Sequence, residues 1–297
     1  MISKFFATHF RFLNWFFYEN RTTATNIEGL CIVLPRLAYP CRLDDLEPVF
    51  GKSKAEISHI FNYLLDFLYT MHSHLLSDLN RSWLSQEHLE EFANSVSARN
   101  APLDNCCGFI DGTVRSICRP QQNQRLVYNG QKRFHSLKFQ SIVVPNGIIS
   151  HLYGPMEGSR HDSALLRESC VLRQMSNHMT TADGIIFSVY GDPAYPLSEG
   201  HILEPYRGGG VVISRNQMIF NKRMSSVRIY VECVFGKVLS LFAYLDLKKN
   251  QKLYLQPVGK YYAIAVLLTN CHTCMYGSET SSFFNIQPPS LQDYIMG

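Results

Sequence analysis

Three acidic residues stand where strand ends and a helix could gather them. Asp111 follows the apolar run Cys107–Ile110, and Asp192 follows the strand-like stretch IIFSVYG at 185–191. Glu232 lies within a segment of helical period spanning 216–242. In α/β sheets, sites collect beyond the carboxyl ends of strands. Two aspartates and a glutamate brought together make an all-oxygen pocket of strong negative charge, which a hard divalent cation, Mg²⁺ or Mn²⁺, would relieve. Such ions can activate an attacking oxygen and stabilise a leaving one in phosphodiester cleavage. Each residue also has a structural reading. Asp111-Gly112 and Asp192-Pro193 are common turn openers. Glu232 can pair with Arg228 one helical turn back, a contact worth a few tenths of a kcal/mol. Gly236 costs a helix interior about 1 kcal/mol relative to alanine, which suggests a close approach beside Glu232.

The elements that must hold these residues follow from period and punctuation. Residues 1–100 read as helical. LDDLEPVF (43–50) makes a short helix stopped by Gly51. Ser53 and Glu56 then fit a capping box, each satisfying a free backbone N–H of a new helix. Behind it Ile57, Ile60, Phe61, Leu64, Leu65 and Leu68 repeat at helical spacing. Lys54, Ser58, His59 and Asn62 take the other face, a helix-turn-helix arrangement near 43–70. Ser85 starts a further helix, roughly 86–97, and 101–105 is a turn-rich join. Runs 137–144 and 148–154 read as strands around the hairpin signal Pro145-Asn146-Gly147. Ser159 caps a helix to about Gln174, with Asp162 completing that cap. A last apolar helix covers 255–275. The division is a helical region 1–100 and a catalytic region 101–297. Strand, hairpin, helix, strand and helix in that order make a mixed α/β layout, with helices packed on one central sheet.

Composition narrows the class. Of 297 residues, 46% are hydrophobic and 18% charged, enough to bury a core and too apolar for wholesale disorder. A net charge of +4 permits a polyanionic partner without demanding one. Nine cysteines at irregular spacing do not read as a disulfide framework. Cys271 and Cys274 form a lone CxxC around His272; a zinc site needs about four ligands, so a core helix is the simpler reading. The first twenty residues are aromatic, with His9, Arg11 and Asn14 interrupting the apolar run; they read as a packed or partner-facing helix rather than a secretory signal. No apolar run reaches membrane-spanning length.

Five segments, in order and interval, resemble the DDE transposases of PIF/Harbinger elements and their domesticated nuclease-like relatives. They are LAYPCRLDDLEPVFGKSKAEISHIFNYLLDFLY (37–69), GFIDGT (108–113), GSRHDS (158–163), GDPAYPL (191–197) and NKRMSSVRIYVECVFGKV (221–238). The resemblance covers the chain from about Leu37 onward. It implies an RNase H-like core, with Asp111, Asp192 and Glu232 as the metal-binding catalytic triad. His161 and Asp162 belong to the shared pattern as supporting residues. The first thirty residues, the stretch Arg207–Arg215 and the segment after Phe242 depart from it.

The implied activity is metal-dependent cleavage of DNA by a two-metal mechanism, using Mg²⁺ or Mn²⁺. Arg115, Arg119, Arg125, Lys132, Arg133 and Lys138 could hold the DNA backbone on one side, and Lys222, Arg223 and Lys237 on the other; phosphate contacts position DNA without reading it. The resemblance further implies nuclear action, with the cytoplasm as a second compartment. It implies a Myb-like DNA-binding partner, while the helix-turn-helix assists binding, forms a homodimer or contacts that partner. Two rival readings stand beside this one: a domesticated protein that binds DNA or partners without cutting, and a small-molecule metal phosphohydrolase. An HD-type hydrolase would need histidines on helices, and His151 falls in a strand-like stretch.

Overall fold

Pro145-Asn146-Gly147 turns the chain between two long strands, as the sequence predicts. Gly147 takes φ +82°, a backbone state that costs glycine little. The Asn146 Oδ1 accepts from the Ile148 N–H at 3.0 Å, and the Gly147 N–H donates to the Val144 carbonyl at 2.9 Å. The structure is a computed structural model that describes residues 15–17, 22–195, 197–198, 200–208 and 212–297.

The hairpin strands belong to a six-stranded mixed sheet. In chain order its strands are β3 (Cys106–Ser116), β4 (Tyr128–Asn129), β5 (Phe134–Val143), β6 (Ile149–Glu157), β7 (Ser188–Tyr190) and β8 (Ile202–Leu203). β5 lies antiparallel to β3 on one side and to β6 and β4 on the other. On the far side of β3, β7 and then β8 run parallel to it. A separate ribbon pairs β1 (Trp15–Phe17) with β2 (Thr23–Thr25).

Eleven helices follow in chain order among the described residues: α1 (Asn26–Ala38), α2 (Leu43–Phe50), α3 (Lys54–His72), α4 (Gln86–Ala98), α5 (Gln124–Val127), α6 (Asp162–Glu168), α7 (Val171–His178), α8 (Arg215–Leu241), α9 (Val258–Tyr276), α10 (Glu279–Phe284) and α11 (Leu291–Met296). The cap predicted for α3 is present: Ser53 Oγ accepts from the Glu56 N–H, and Glu56 Oε2 accepts from the Ser53 N–H at 2.9 Å. All six apolar side chains read as its inner face are buried. At about 1.5–3 kcal/mol for each fully buried aliphatic side chain, this face rather than the cap holds α3 against α1 and α9. At the start of the opposite face Lys54 pairs with Asp44, and Lys52, just before the helix, pairs with Glu28 (3.3 Å).

α9 is buried almost all round, which places it in the interior between α3 and β6. Its Asn270 does the work of a strand neighbour. Oδ1 accepts from the Ile149 N–H at 3.0 Å, and Nδ2 donates to the Ile149 carbonyl at 2.9 Å and to the Tyr294 hydroxyl at 2.9 Å. Cys271 and Cys274 lie on this helix as free thiols, consistent with a core helix. No helix of the described residues is long and apolar enough to cross a membrane.

Four local expectations are corrected. β3 does not stop before Asp111 but continues to Ser116, because β5 pairs with it without interruption from Phe109 to Ser116. The single helix expected over 159–174 is two, α6 and α7. Cys170 takes φ +54° between them, and Ser169 Oγ donates to the Leu166 carbonyl and accepts from the Val171 N–H. α6 starts at Asp162 with His161 before it, so Ser159 does not cap it, and Asp162 is free for another partner. The strand expected over 185–191 is only Ser188–Tyr190, with Ile185 56% exposed before it. Of the helix expected over the first twenty residues, 15–17 are strand instead, and the rest lie outside the described residues.

Candidate active site

Two parallel strands carry the first two carboxylates to one height. Phe109 of β3 pairs with Tyr190 of β7, the last pair between these strands. Asp111 and Asp192 each come two residues later. Beyond Tyr190 the chain leaves the sheet, so the edge of β3 opens beside Asp111. Asp192 turns the departing chain, its Oδ1 accepting from the Ala194 N–H at 2.9 Å. Gly191 fits because a Cβ there would stand 2.9 Å from Ile110 Cγ2.

Asp111 is 9% exposed. Burial pushes its carboxyl up to about 6; the nearby Arg228 charge pulls it down, and the Asp192 charge pushes it up again. Arg228 of α8 meets it directly, Nη2 to Oδ1 at 3.0 Å. A second acidic arm approaches from α6. Asp162 Oδ1 lies 3.1 Å from where a Cβ on Gly112 would stand, and the Tyr195 hydroxyl 3.4 Å from the same point. Asp162 is paired with Lys138 of β5 at 3.1 Å. Tyr195, fully buried, sits amid these groups. Burial and the negative charges of Asp162, Asp111 and Asp192 push its phenol well above the usual range. Its hydroxyl and the Nε of Arg228 are buried without a hydrogen-bond partner.

Of the triad expected from the resemblance, the fold brings Asp111 and Asp192 into electrostatic contact. Glu232 lies on α8 one turn beyond Arg228 and is exposed. The ion pair with Arg228, its alternative reading, is not made; that guanidinium goes to Asp111. Gly236 is not forced by a close approach, since a Cβ there would meet nothing within 4 Å. Among the described residues no group of three or more His, Cys, Asp or Glu is gathered to hold a metal ion. The donor chemistry nevertheless fits a hard divalent cation: Asp111 and Asp192 offer carboxylate oxygens whose like charges repel, a repulsion that Arg228 offsets in the metal-free protein. His161 is exposed at the start of α6, and its side chain makes no cap hydrogen bond.

The expected DNA-contact residues divide by their surroundings. Arg119, Arg125, Lys132, Arg133, Lys222 and Arg223 are exposed. Lys138 is held by Asp162. Arg115 bonds to Thr113 Oγ1 and lies over the Tyr262 ring at 5.4 Å. Lys237 is half-buried and ties down the end of α9, donating to Thr273 Oγ1 at 3.0 Å and to the Gly277 carbonyl at 2.8 Å. Arg228 and Tyr195 are the site residues that sequence reasoning missed as such. Both lie inside quoted motifs, and Arg228 was legible as a cation one turn from Glu232, with a local partner in view rather than a distant one.

The family model for the DDE superfamily endonucleases matches residues 110–270, just over half the chain. No curated protein and no solved structure matches significantly.

Proposed function

Because the chain belongs to the DDE superfamily endonucleases, we propose that it is a transposase-like nuclease that cuts DNA phosphodiesters with Mg²⁺ or Mn²⁺. The observation that carries this reading is that Asp111 and Asp192 each stand two residues beyond the last paired residues, Phe109 and Tyr190, of adjoining parallel strands, within the matched region. These two carboxylates would hold the cation, and Glu232 would complete the set, as the resemblance implies. When bound, the metal would activate the attacking oxygen and stabilise the leaving one, in a two-metal site if two ions bind.

The protein's own groups have separate tasks. Burial gives Asp111 a high affinity for protons, so it must lose one near pH 6 before it can serve as a ligand. Arg228 holds the ionised carboxylate compensated in the metal-free protein. The Lys138–Asp162 pair keeps α6 against β5, with Asp162 close over Gly112. Arg119, Lys132 and Arg133, with Lys222 and Arg223 on α8, would hold DNA phosphates.

The finer assignment, to the PIF/Harbinger line with an RNase H-like core, rests on the order of the five motifs and is supported by the mixed sheet. On that reading residues 101–297 are the nuclease domain. Residues 1–100 are the helical region in which α2 and α3 serve as a helix-turn-helix toward DNA, a second copy or a Myb-like partner. The protein would act in the nucleus.

Cutting of labelled duplex DNA by the purified protein in Mg²⁺ or Mn²⁺, beside Asp192→Asn and with a Myb-like partner added, tests the proposal. Cutting that needs metal and disappears in the variant is expected. A folded protein that binds DNA but cuts under none of these conditions would instead be a domesticated binding protein. That second reading is favoured by two observations: Arg228 already engages Asp111, and Glu232 faces solvent.

A further inference from the structure

Beyond the end of β3, a cleft of about 500 Å³ opens between residues 118–122 and residues 252–255. The Cys118 N–H donates to the Gln251 carbonyl at 2.9 Å and fixes one wall to the other. Arg119 and Lys252 line it, and Lys248 stands four residues before Lys252 on the same segment; all three are exposed. Among the described residues none of these three cations is in an ion pair; Arg119 bonds instead to the neutral Gln124 side chain at 3.0 Å. Two of them converge on one group: after burial, the charges of Arg119 and Lys248 are what push the His135 imidazole down. The cleft is thus a local excess of positive charge drawn from two separate segments.

An aromatic ring is displayed beside it. Tyr254 is 61% exposed, yet its hydroxyl accepts a hydrogen bond from the Asn123 amide at 3.0 Å. Its backbone takes φ +70°, a state that bulky residues rarely adopt and that persists only where surroundings impose it. This ring is held in place while showing its surface to solvent. Aromatic faces beside uncompensated cations are the means by which proteins hold unpaired nucleic acid, bases stacking on rings and phosphates meeting the charges. A duplex keeps its base faces stacked on one another and gives such a ring nothing to bind.

We infer that this cleft binds single-stranded DNA, one unpaired base stacking on Tyr254 and the neighbouring phosphates meeting Arg119, Lys248 and Lys252. The inference rests on DNA being the substrate, and it adds a place for a strand that has left the duplex. The rise of an extended chain puts Ser116, at the end of β3, about 17 Å from Asp111. The cleft therefore engages the strand at a distance from the cutting site.

Fluorescence anisotropy in EDTA, where nothing is cut, tests this with a labelled single strand, its duplex and the RNA of the same sequence. Tyr254→Asn tolerates the positive φ and should weaken single-strand binding about tenfold, with duplex binding and thermal unfolding unchanged. Tyr254→Phe should keep most of the affinity. Lys248→Gln and Lys252→Gln should each flatten the salt dependence for the single strand by about 0.7 in log–log slope. An unchanged affinity in Tyr254→Asn, an equal loss for duplex and single strand, or tighter binding of the RNA would overturn the inference. A failure here leaves metal-dependent cutting intact, and failure to cut in Mg²⁺ leaves these affinities intact, so the two results are separable.

Discussion

The guanidinium of Arg228 lies 3.0 Å from the Asp111 carboxylate, joining the long helix α8 to the centre of the sheet. Both side chains are mostly buried, 22% and 12% exposed. Removing one partner of such a pair leaves the other charge uncompensated, which costs more than the pair itself contributes. Arg228→Gln should therefore destabilise the metal-free protein by about 2 kcal/mol at pH 8. At pH 4.5, where Asp111 holds its proton, the loss should be much smaller. Urea unfolding at the two pH values reads the difference, and equal losses would refute the role given to the pair.

A pH dependence follows from Asp111 itself. Its folded pKa, about 6, lies above the ordinary aspartate value of 3.8, so the folded state holds the proton more tightly than the unfolded state. The stability due to the protonated form is fully present below about pH 4 and is lost as pH rises through about 6. The loss is on the order of 3 kcal/mol in the absence of metal. Asp111→Asn should remove this slope, while losing all metal-dependent cutting and leaving Arg228 without its partner. Thermal unfolding from pH 4 to 8 measures it; an unchanged slope in the variant would count against the assignment.

Divalent metal should reverse that loss. Ligands must be deprotonated to bind, so Mn²⁺ should raise the melting temperature at pH 7.5 and have little effect at pH 5. The shift should vanish in Asp192→Asn. A shift of equal size at both pH values would place the metal elsewhere.

Gly112 admits Asp162. A Cβ there would stand 3.1 Å from the Asp162 Oδ1, so Gly112→Ala must move a carboxylate already held by Lys138. The expected cost is about 1–2 kcal/mol, as for other overpacked sites, with nuclease activity falling more than DNA binding. Calorimetry beside a cutting assay checks this; full activity would show that Asp162 has no bearing on the site.

Lys237 separates a structural lysine from a DNA-facing one. Lys237→Met removes two hydrogen bonds at the end of α9 and should cost about 1 kcal/mol of stability with the salt dependence of DNA binding unchanged. Lys132→Met, on an exposed turn, should do the reverse, lowering the salt slope by about 1 for duplex. Parallel titrations and melts decide between them.

What the sequence makes legible here is local. The α3 cap needs only Ser53 and Glu56, three positions apart, and its buried face needs only helical period. The hairpin needs only Pro145-Asn146-Gly147. Asp111-Gly112, by contrast, has the composition of a turn and is strand, because the pairing with β5 overrides local preference. The break between α6 and α7 depends on Ser169 bonding both its neighbours, which no period reveals. The same limit governs the candidate site. Motif order pointed to Asp111 and Asp192, but the rule that pairs residues four apart matched Arg228 to Glu232, whereas folding offers Arg228 the buried carboxylate of Asp111 instead.

Asn270 imposes a condition on assembly. By answering both the N–H and the carbonyl of Ile149, its amide ends the ladder at the start of β6. Open sheet edges invite a strand from another molecule, and here the first rung is already taken from within. A second copy of the chain, or a partner offering an extended peptide, could not extend the sheet from that corner and would have to associate elsewhere.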